Sequence, residues 1–181
     1  MTDLLVLDLV DKHLVTDQMV LTIGYDIDNL TDPKRKNAYH GEVTIDRYGR
    51  KVPKHAHGTI NLKSRTSSTK QIMDAVMELY DRIVDPDLLI RRIYVVACRL
   101  SDETSAKQDD TFEQLDLFTD YAALEEKKQA EKEKMEKERK LQEAVLSVKK
   151  KYGKNAMLKG MNLQEGATSI ERNKQIGGHK A

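Results

Sequence analysis

Apolar side chains follow two different periods at the start of the chain. Leucines and valines recur at helical spacing over residues 2–14, which predicts a helix capped by Thr2 or Asp3. Over residues 16–27 the apolar side chains instead occupy every second position, which is typical of a strand that buries one face. The chain is therefore expected to open with a helix followed by a strand.

Two turn-rich stretches separate this strand from the next one. Residues 28–42 are polar and rich in turn formers, which predicts a loop, and residues 42–53 predict a short strand and a turn. Residues 55–66 alternate again, with Ile60 and Leu62 on one side of the strand. The other side carries a polar row, made of His57, Thr59, Asn61, Lys63 and Arg65. A strand with such a row predicts a sheet that leaves one side open.

The clearest helical pattern spans residues 67–84. Ser68 with Gln71 three positions later forms a capping box, and the apolar side chains keep to one helical face. Residues 88–100 are rich in β-branched side chains and predict a central strand. The single cysteine, Cys98, stands in that strand, so it is predicted to be a small buried apolar residue, and a disulfide framework is excluded.

Together these elements predict an α+β fold class for residues 1–100. A four-stranded, mainly antiparallel sheet is expected to carry two helices on one face, which makes a small two-layer domain. No apolar stretch approaches the length of a membrane span, and no signal peptide is visible. The sequence therefore predicts a cytoplasmic protein with no membrane partner.

The remaining residues are too polar to build a second core. Residues 101–120 have the composition of an acidic, disordered linker. Residues 121–152 are rich in Glu, Lys and Ala, with opposite charges at helical spacing, and predict a long charged helix. Because regular heptads are missing, a solvated single helix is favoured over a coiled coil. The helix could serve as a spacer or as a partner site, and the spacer is favoured. Residues 153–181 contain five glycines and predict an extended or loosely ordered tail.

A near-neutral total charge conceals a basic stretch. The chain has a net charge of +1, yet residues 47–92 hold ten cations against five acids. The candidate phosphate-binding residues are Lys51, Lys54, His57, Lys63, Arg65, Ser67, Ser68, Thr69, Arg91 and Arg92, of which the two serines and Thr69 stand at a helix N-terminus. This set predicts a face that binds a nucleic-acid backbone without reading bases. Two alternatives are a face that only adds solubility and a protein-interaction adaptor.

Recognisable catalytic patterns are missing from the sequence. It has no phosphate-binding glycine loop, no nucleophile elbow and no cysteine–histidine pair with a third group. His55 and His57 share one face of a strand, but a structural zinc site normally needs four ligands, so we predict surface histidines. Asp26 and Asp28 end a strand, and a metal-dependent nuclease that uses them with His57 is kept as an alternative. We predict no catalytic residue, no metal and no cofactor.

A short apolar motif interrupts the polar linker. The pentapeptide QLDLF consists of Gln114, Leu115, Asp116, Leu117 and Phe118. In extended form its apolar side chains could insert into a cleft of a partner protein, with Gln114 as a hydrogen-bonding anchor. The alternative is that Leu117 and Phe118 fold back onto the domain.

The pentapeptide resembles the motif that binds the bacterial sliding clamp, and every position of QLDLF fits that motif. Three further stretches resemble the little finger and C-terminal region of Y-family translesion DNA polymerases. They are HLVTDQMVLTIGYD at residues 13–26, YGRKVPKHAHGTINL at residues 48–62, and KKYGKNAMLKGMNLQEGATSIERNKQIGGHKA at residues 150–181. The likeness is greatest to the UmuC/ImpB/MucB/SamB branch of Gram-positive bacteria, and it covers essentially the whole chain.

This resemblance implies a function in DNA damage bypass. It implies four strands and two helices laid into the major groove of duplex primer–template DNA, with the sheet holding phosphates and the pentapeptide binding the sliding clamp near the nucleoid. The chain starts at the first helix of the little finger, which implies a C-terminal fragment without the catalytic palm. The parent enzyme would hold Mg²⁺ in that palm. Asp26 and Asp28 do not match the palm motifs, so the fragment is expected to bind DNA and not to polymerise it.

Overall fold

The computed structural model describes residues 1–105, 121–176 and 179–180. The first part contains α1 (Thr2–Asp11), β1 (Leu14–Tyr25), α2 (Asp28–Thr31), α3 (Pro33–Ala38), β2 (Val43–Ile45), β3 (Lys51–Pro53), β4 (Ala56–Thr66), α4 (Thr69–Ile83), β5 (Ile90–Cys98) and β6 (Ser101–Asp102). The second part contains α5 (Tyr121–Tyr152), a 3₁₀ helix (Gly160–Leu163), α6 (Ser169–Arg172) and β7 (Gln175–Ile176), which pairs with β8 (His179–Lys180).

The main sheet has four antiparallel strands, which confirms the predicted fold class. Strand β1 lies in the middle, with β4 on one side and β5 on the other, while β6 pairs with the first residues of β1. The prediction that residues 88–100 form a central strand is wrong, because β5 pairs with β1 alone among the described residues. Its β-branched composition reflects a half-exposed edge, and Cys98 there is half-buried instead of buried.

One face of the sheet is covered by helices, and the core lies beneath them. The alternating side chains of β1 supply Met19, Leu21 and Ile23, and the helices supply Val6, Leu9 and Val10 from α1 and Ile72, Val76 and Leu79 from α4. Burying each of the larger side chains stabilises the fold by about 1.5–3 kcal/mol. The predicted capping box of α4 is confirmed in its first half, since the Ser68 hydroxyl accepts the Gln71 N–H at 3.3 Å, but the Ser68 N–H donates to Thr66 Oγ1 and not to Gln71. The predicted cap of α1 is wrong, because no side chain caps that helix.

The stretch expected to be a loop contains two short helices. Asp32 starts the second of them: its carboxylate accepts the N–H groups of Lys34 at 2.8 Å and Arg35 at 3.3 Å. Pro33 follows at the first helical position, where its fixed φ suits a helix. The Asp32–Pro33 pair therefore starts a helix, although the same pair is also common in turns. The sequence pattern alone did not distinguish a turn from a helix start.

Strands β2 and β3 form a hairpin of their own. They pair with each other, and among the described residues neither is part of the main sheet. Gly49 supplies the positive φ of the turn between them, at 77°. Lys51 on β3 and Lys54 just after it therefore belong to the hairpin, and the expectation that they lie on the main sheet is wrong.

Helix α5 packs against the domain along its C-terminal half. Gln142 is only 6 % exposed, Leu146 joins the core beside α1, and Lys150 pairs with Asp11. Residues 129–137, by contrast, are all exposed. The solvated helix expected from the sequence thus describes residues 129–137, and it is wrong from Glu138 on, where the helix contacts the domain.

The tail holds several short ordered elements instead of one loosely ordered segment. Asn155 bonds to Asn173 at 2.7 Å and to the carbonyl of Ile170 at 3.3 Å, which folds the tail back on itself. Lys159 pairs with Asp3, so the tail also contacts α1. Within the described parts of the chain, no helix is both long and apolar enough to cross a membrane.

Candidate functional site

The side of the sheet opposite the core has no helix on it among the described elements, and we call it the open face. Because side chains alternate along each strand, the pairing register decides its members. They are Gln18, Val20, Thr22 and Gly24 from β1, His57, Thr59 and Asn61 from β4, and Arg92, Tyr94, Val96 and Cys98 from β5. Lys63 is exposed and follows Asn61 in the alternation of exposed side chains along β4, at the point where the register of β4 with β1 shifts.

Polar bonds cross the β1–β4 half of the open face. The Gln18 side-chain amide donates to Asn61 Oδ1 at 2.9 Å, and Thr22 Oγ1 lies 2.9 Å from His57 Nδ1. Cross-strand pairs of this kind fix side chains in one arrangement without covering them. This half therefore presents a polar surface, as the alternation of residues 55–66 predicted.

The β5 half of the open face differs, because it exposes apolar and aromatic surface. Tyr94 is 54 % exposed and Val96 is 48 % exposed. Sequence reasoning missed both residues, since it took the strand as central and buried. The available signal was the alternation of Arg92, Tyr94 and Val96 against the core-facing side chains between them.

The predicted cations divide into paired and unpaired groups. Three have partners: Lys54 with Glu42 at 2.7 Å, Arg65 with Asp17 at 3.7 Å, and Arg91 with Asp26 at 3.1 Å. Lys51, Lys63 and Arg92 are exposed and have no hydrogen-bond or ion-pair partner among the residues that the structure describes. Of these, Lys63 and Arg92 lie on the open face, at two different strands.

The three hydroxyl residues predicted to receive a phosphate lie elsewhere, under α5. The Ser68 hydroxyl donates to Glu138 Oε2 at 2.7 Å, and the Lys70 N–H donates to Glu138 Oε1 at 3.1 Å. The Gln142 amide donates to the Ser67 carbonyl and to Thr69 Oγ1, both at 2.9 Å. In this structure, a carboxylate of the chain itself occupies the donors at the start of α4.

A charged cluster holds α5 in this position. Arg139 donates to Glu103 at 2.9 Å, to Glu143 at 3.0 Å and to the Ser67 hydroxyl at 3.3 Å. Its guanidinium is mostly buried, so these bonds are less screened by water than surface ion pairs are. The start of α4 is therefore a structural contact on the helix-covered side of the sheet.

The β2–β3 hairpin carries a second pair of bound charges. Asp46 Oδ2 accepts from Arg50 Nε at 2.8 Å and from its Nη2 at 2.6 Å, and these bonds lower the pKa of Asp46 to about 2. The same guanidinium lies 5.1 Å from the ring centre of Tyr48. Both charges are thus engaged within the hairpin.

The carboxylate pair of the nuclease alternative is also engaged. Asp26 accepts the Asp28 N–H at 3.1 Å and pairs with Arg91, and both interactions lower the pKa of Asp26, the first more strongly. His57 contacts Thr22 and not the two acids. Among the described residues, no group of three His, Cys, Asp or Glu side chains could hold a metal ion.

The motif at residues 114–118 falls outside the described residues, so its role stays a prediction from the sequence. Comparison of the chain with protein-family models, with curated proteins and with solved structures found no match.

Proposed function

We propose that this chain is the DNA-gripping and clamp-tethering part of a Y-family translesion DNA polymerase. The observation that carries the proposal is a sheet face that no described helix covers. It holds Lys63 and Arg92, two cations without a partner among the described residues, beside exposed hydroxyl, amide and imidazole groups. Cations on such a face release counterions from a phosphate backbone, and neutral polar groups fix its register. The likeness of the sequence to the little finger supports the same function.

The proposed division of labour places no catalysis in this chain. DNA duplex lies against the open face, and the palm of the parent polymerase, with its Mg²⁺, performs nucleotide transfer. The pentapeptide Gln114–Phe118 binds the sliding clamp, which raises the concentration of the polymerase near the primer terminus. The protein then works in the cytoplasm at the nucleoid, in error-prone bypass of DNA damage.

Salt-dependent DNA binding tests the grip. We would measure fluorescence anisotropy of a labelled blunt duplex with the wild-type chain and with Lys63→Ala combined with Arg92→Ala, across a range of salt concentrations. Loss of two phosphate contacts is expected to weaken binding and to lower the slope of log K against log salt by about 1.8. The control is Lys134→Ala with Lys137→Ala, which removes two exposed cations of α5. Equal loss in both double variants would contradict a grip centred on the open face.

A protein-interaction adaptor is the second candidate, and one observation favours it. Tyr94 and Val96 expose apolar surface on the open face, and aromatic side chains are enriched at protein interfaces. Salt separates the two functions, because phosphate binding weakens steeply with salt whereas apolar contacts do not. Absence of any duplex binding at low salt would favour the adaptor.

Clamp tethering has an independent test. Titration of the chain with bacterial sliding clamp, followed by calorimetry, is expected to show binding that Leu117→Ala with Phe118→Ala abolishes. The same double variant should leave duplex binding unchanged, and Lys63→Ala with Arg92→Ala should leave clamp binding unchanged. If both double variants reduced both activities in folded protein, the separation into two functions would be wrong.

A further inference from the structure

A cleft lies where the β2–β3 hairpin meets the open face. Its volume is about 300 Å³. Four neighbouring residues of the open face belong to its lining, and the register places Thr22 beside Tyr94 and Gly24 beside Arg92. The hairpin contributes Ile45, Val52 and Pro53. The cleft thus combines an exposed aromatic ring with aliphatic side chains that come from a different part of the fold.

The charges around the cleft are of two kinds. Arg50 is held by Asp46 and Arg91 is held by Asp26, so neither guanidinium needs a ligand. Three of the other donors that line the cleft, Arg92, His55 and the Tyr94 hydroxyl, have no partner among the described residues. Donors without a protein partner, next to an exposed aromatic ring, favour a ligand that has both a flat ring and an anionic group.

Gly24 leaves room on the cleft floor. A Cβ added there would lie 3.5 Å from Arg92 Cβ, which is an ordinary contact, and it would meet no other atom that close. A larger side chain at this position is therefore compatible with the strand and would fill the cleft. This gives a way to block the cleft without removing any of its donors.

We propose that this cleft binds one unpaired nucleotide of a DNA strand. The base stacks on Tyr94 beside Ile45, and the adjoining phosphate binds Arg92 and His55. A volume of about 300 Å³ matches the small end of ligand pockets and admits one nucleotide but not a base pair. Aromatic stacking next to cations is how proteins hold single-stranded DNA without sequence preference. The inference rests on the proposed function, and it adds that the bound DNA carries a single-stranded extension.

Two DNA probes test the inference: a blunt duplex, and the same duplex with a single-stranded 5′ extension. By fluorescence anisotropy we expect the wild-type chain to bind the extended probe about tenfold more tightly, the effect of one stacked base. Tyr94→Ala and Gly24→Val should each remove that preference, because affinity for the extended probe falls by more than affinity for the blunt duplex, which the rest of the open face also holds. The matched control is Tyr152→Ala, which removes a similarly exposed tyrosine from α5 and should keep the preference.

The outcomes separate this inference from the proposed function. Equal binding of both probes by the wild-type chain would overturn the cleft and leave DNA gripping intact. A preference that survives in both Tyr94→Ala and Gly24→Val would likewise overturn it. Binding of neither probe would overturn the proposed function, and the cleft with it. Urea unfolding of each variant establishes that a lost preference does not come from a lost fold.

Discussion

The two faces of the sheet carry polar residues of similar type, but these residues differ in whether they have partners within the protein. On the helix-covered face, the hydroxyl of Ser68 and the N–H of Lys70 bind Glu138, and Arg139 binds Glu103. On the open face, Lys63 and Arg92 are exposed and have no partner among the described residues. Hydroxyl side chains and arginines occur on both faces, so residue type does not decide which groups are available to a ligand.

Whether a group can bind a ligand therefore depends on whether it already has a hydrogen-bond or ion-pair partner within the protein. A group that already donates to a buried partner would have to lose that bond before binding a ligand, and an unpaired charge left behind costs free energy. Lys63 and Arg92 on the open face lose only water. For this reason we place DNA on the open face and not at the start of α4.

The largest expected effect separates the core from the hairpin beside the open face, and it should appear in stability. Ile23 on β1 is 0 % exposed and Ile45 on the hairpin is 71 % exposed. We expect Ile23→Ala to lower the free energy of unfolding by about 2–5 kcal/mol, since it leaves a cavity in the core. Ile45→Ala should change it by less than about 0.5 kcal/mol. Urea denaturation measures both.

If Ile23→Ala does not fold, the milder Ile23→Val keeps the comparison testable, with an expected loss of about 0.5–1.5 kcal/mol. Equal losses for the two alanine variants would mean that the hairpin is as much a part of the core as β1. The hairpin could then not be treated as separate from the core.

The next largest effect concerns the contact between α5 and α4. Glu138→Ala removes the acceptor of two bonds, so we expect a loss of about 1 kcal/mol in unfolding free energy and faster hydrogen exchange at the Lys70 amide. Glu131→Ala, at an exposed position of the same helix, should change neither quantity. Hydrogen exchange followed by mass spectrometry, beside urea unfolding, measures the difference.

The same two variants also test whether the helix-covered face binds DNA. If the open face alone grips DNA, duplex affinity should be equal for Glu138→Ala and Glu131→Ala. A higher affinity in Glu138→Ala alone would mean that the freed donors at Ser68 and Lys70 also bind phosphate. The helix-covered face would then hold a second site.

Much of the fold followed from local pattern. The two-residue period of β1 and β4 predicted which side chains are buried, and Ser68 with Gln71 predicted the start of α4. These signals depend on residues close together in sequence, where backbone geometry alone sets the outcome. The same local logic failed at Asp32, whose side chain suits either a turn or a helix cap.

The rest depended on contacts that no local period encodes. Neighbouring strands are chosen by three-dimensional pairing, so the edge position of β5 and the exposure of Tyr94 were not predictable from its composition. Glu138 meets Ser68 across 70 positions of the chain. Charge spacing along α5 identified a helix but carried no information about its partner, and the candidate site therefore included residues that α5 covers.

The smallest expected effect is in the titration of the hairpin. The pKa of Asp46 is about 2 in the folded protein, below its ordinary value of 3.8, because Arg50 binds the carboxylate. A lowered pKa contributes stability that is fully present above the ordinary value and is lost as the pH falls through about 2. Carboxyl NMR should therefore show Asp46 titrating near pH 2, and Arg50→Ala should return its midpoint toward 3.8.

The same titration also tests which carboxylate each arginine around the cleft pairs with. Arg50→Ala should move the midpoint of Asp46 more than that of Asp26, whose carboxylate accepts from Asp28 and Arg91 and interacts with Arg50 only through space. Arg92→Ala should move neither, because Arg92 has no partner among the described residues. A shift of the Asp46 midpoint in Arg92→Ala would show that this arginine is also engaged by the hairpin. Arg92 would then no longer be a cation that is available to bind a phosphate.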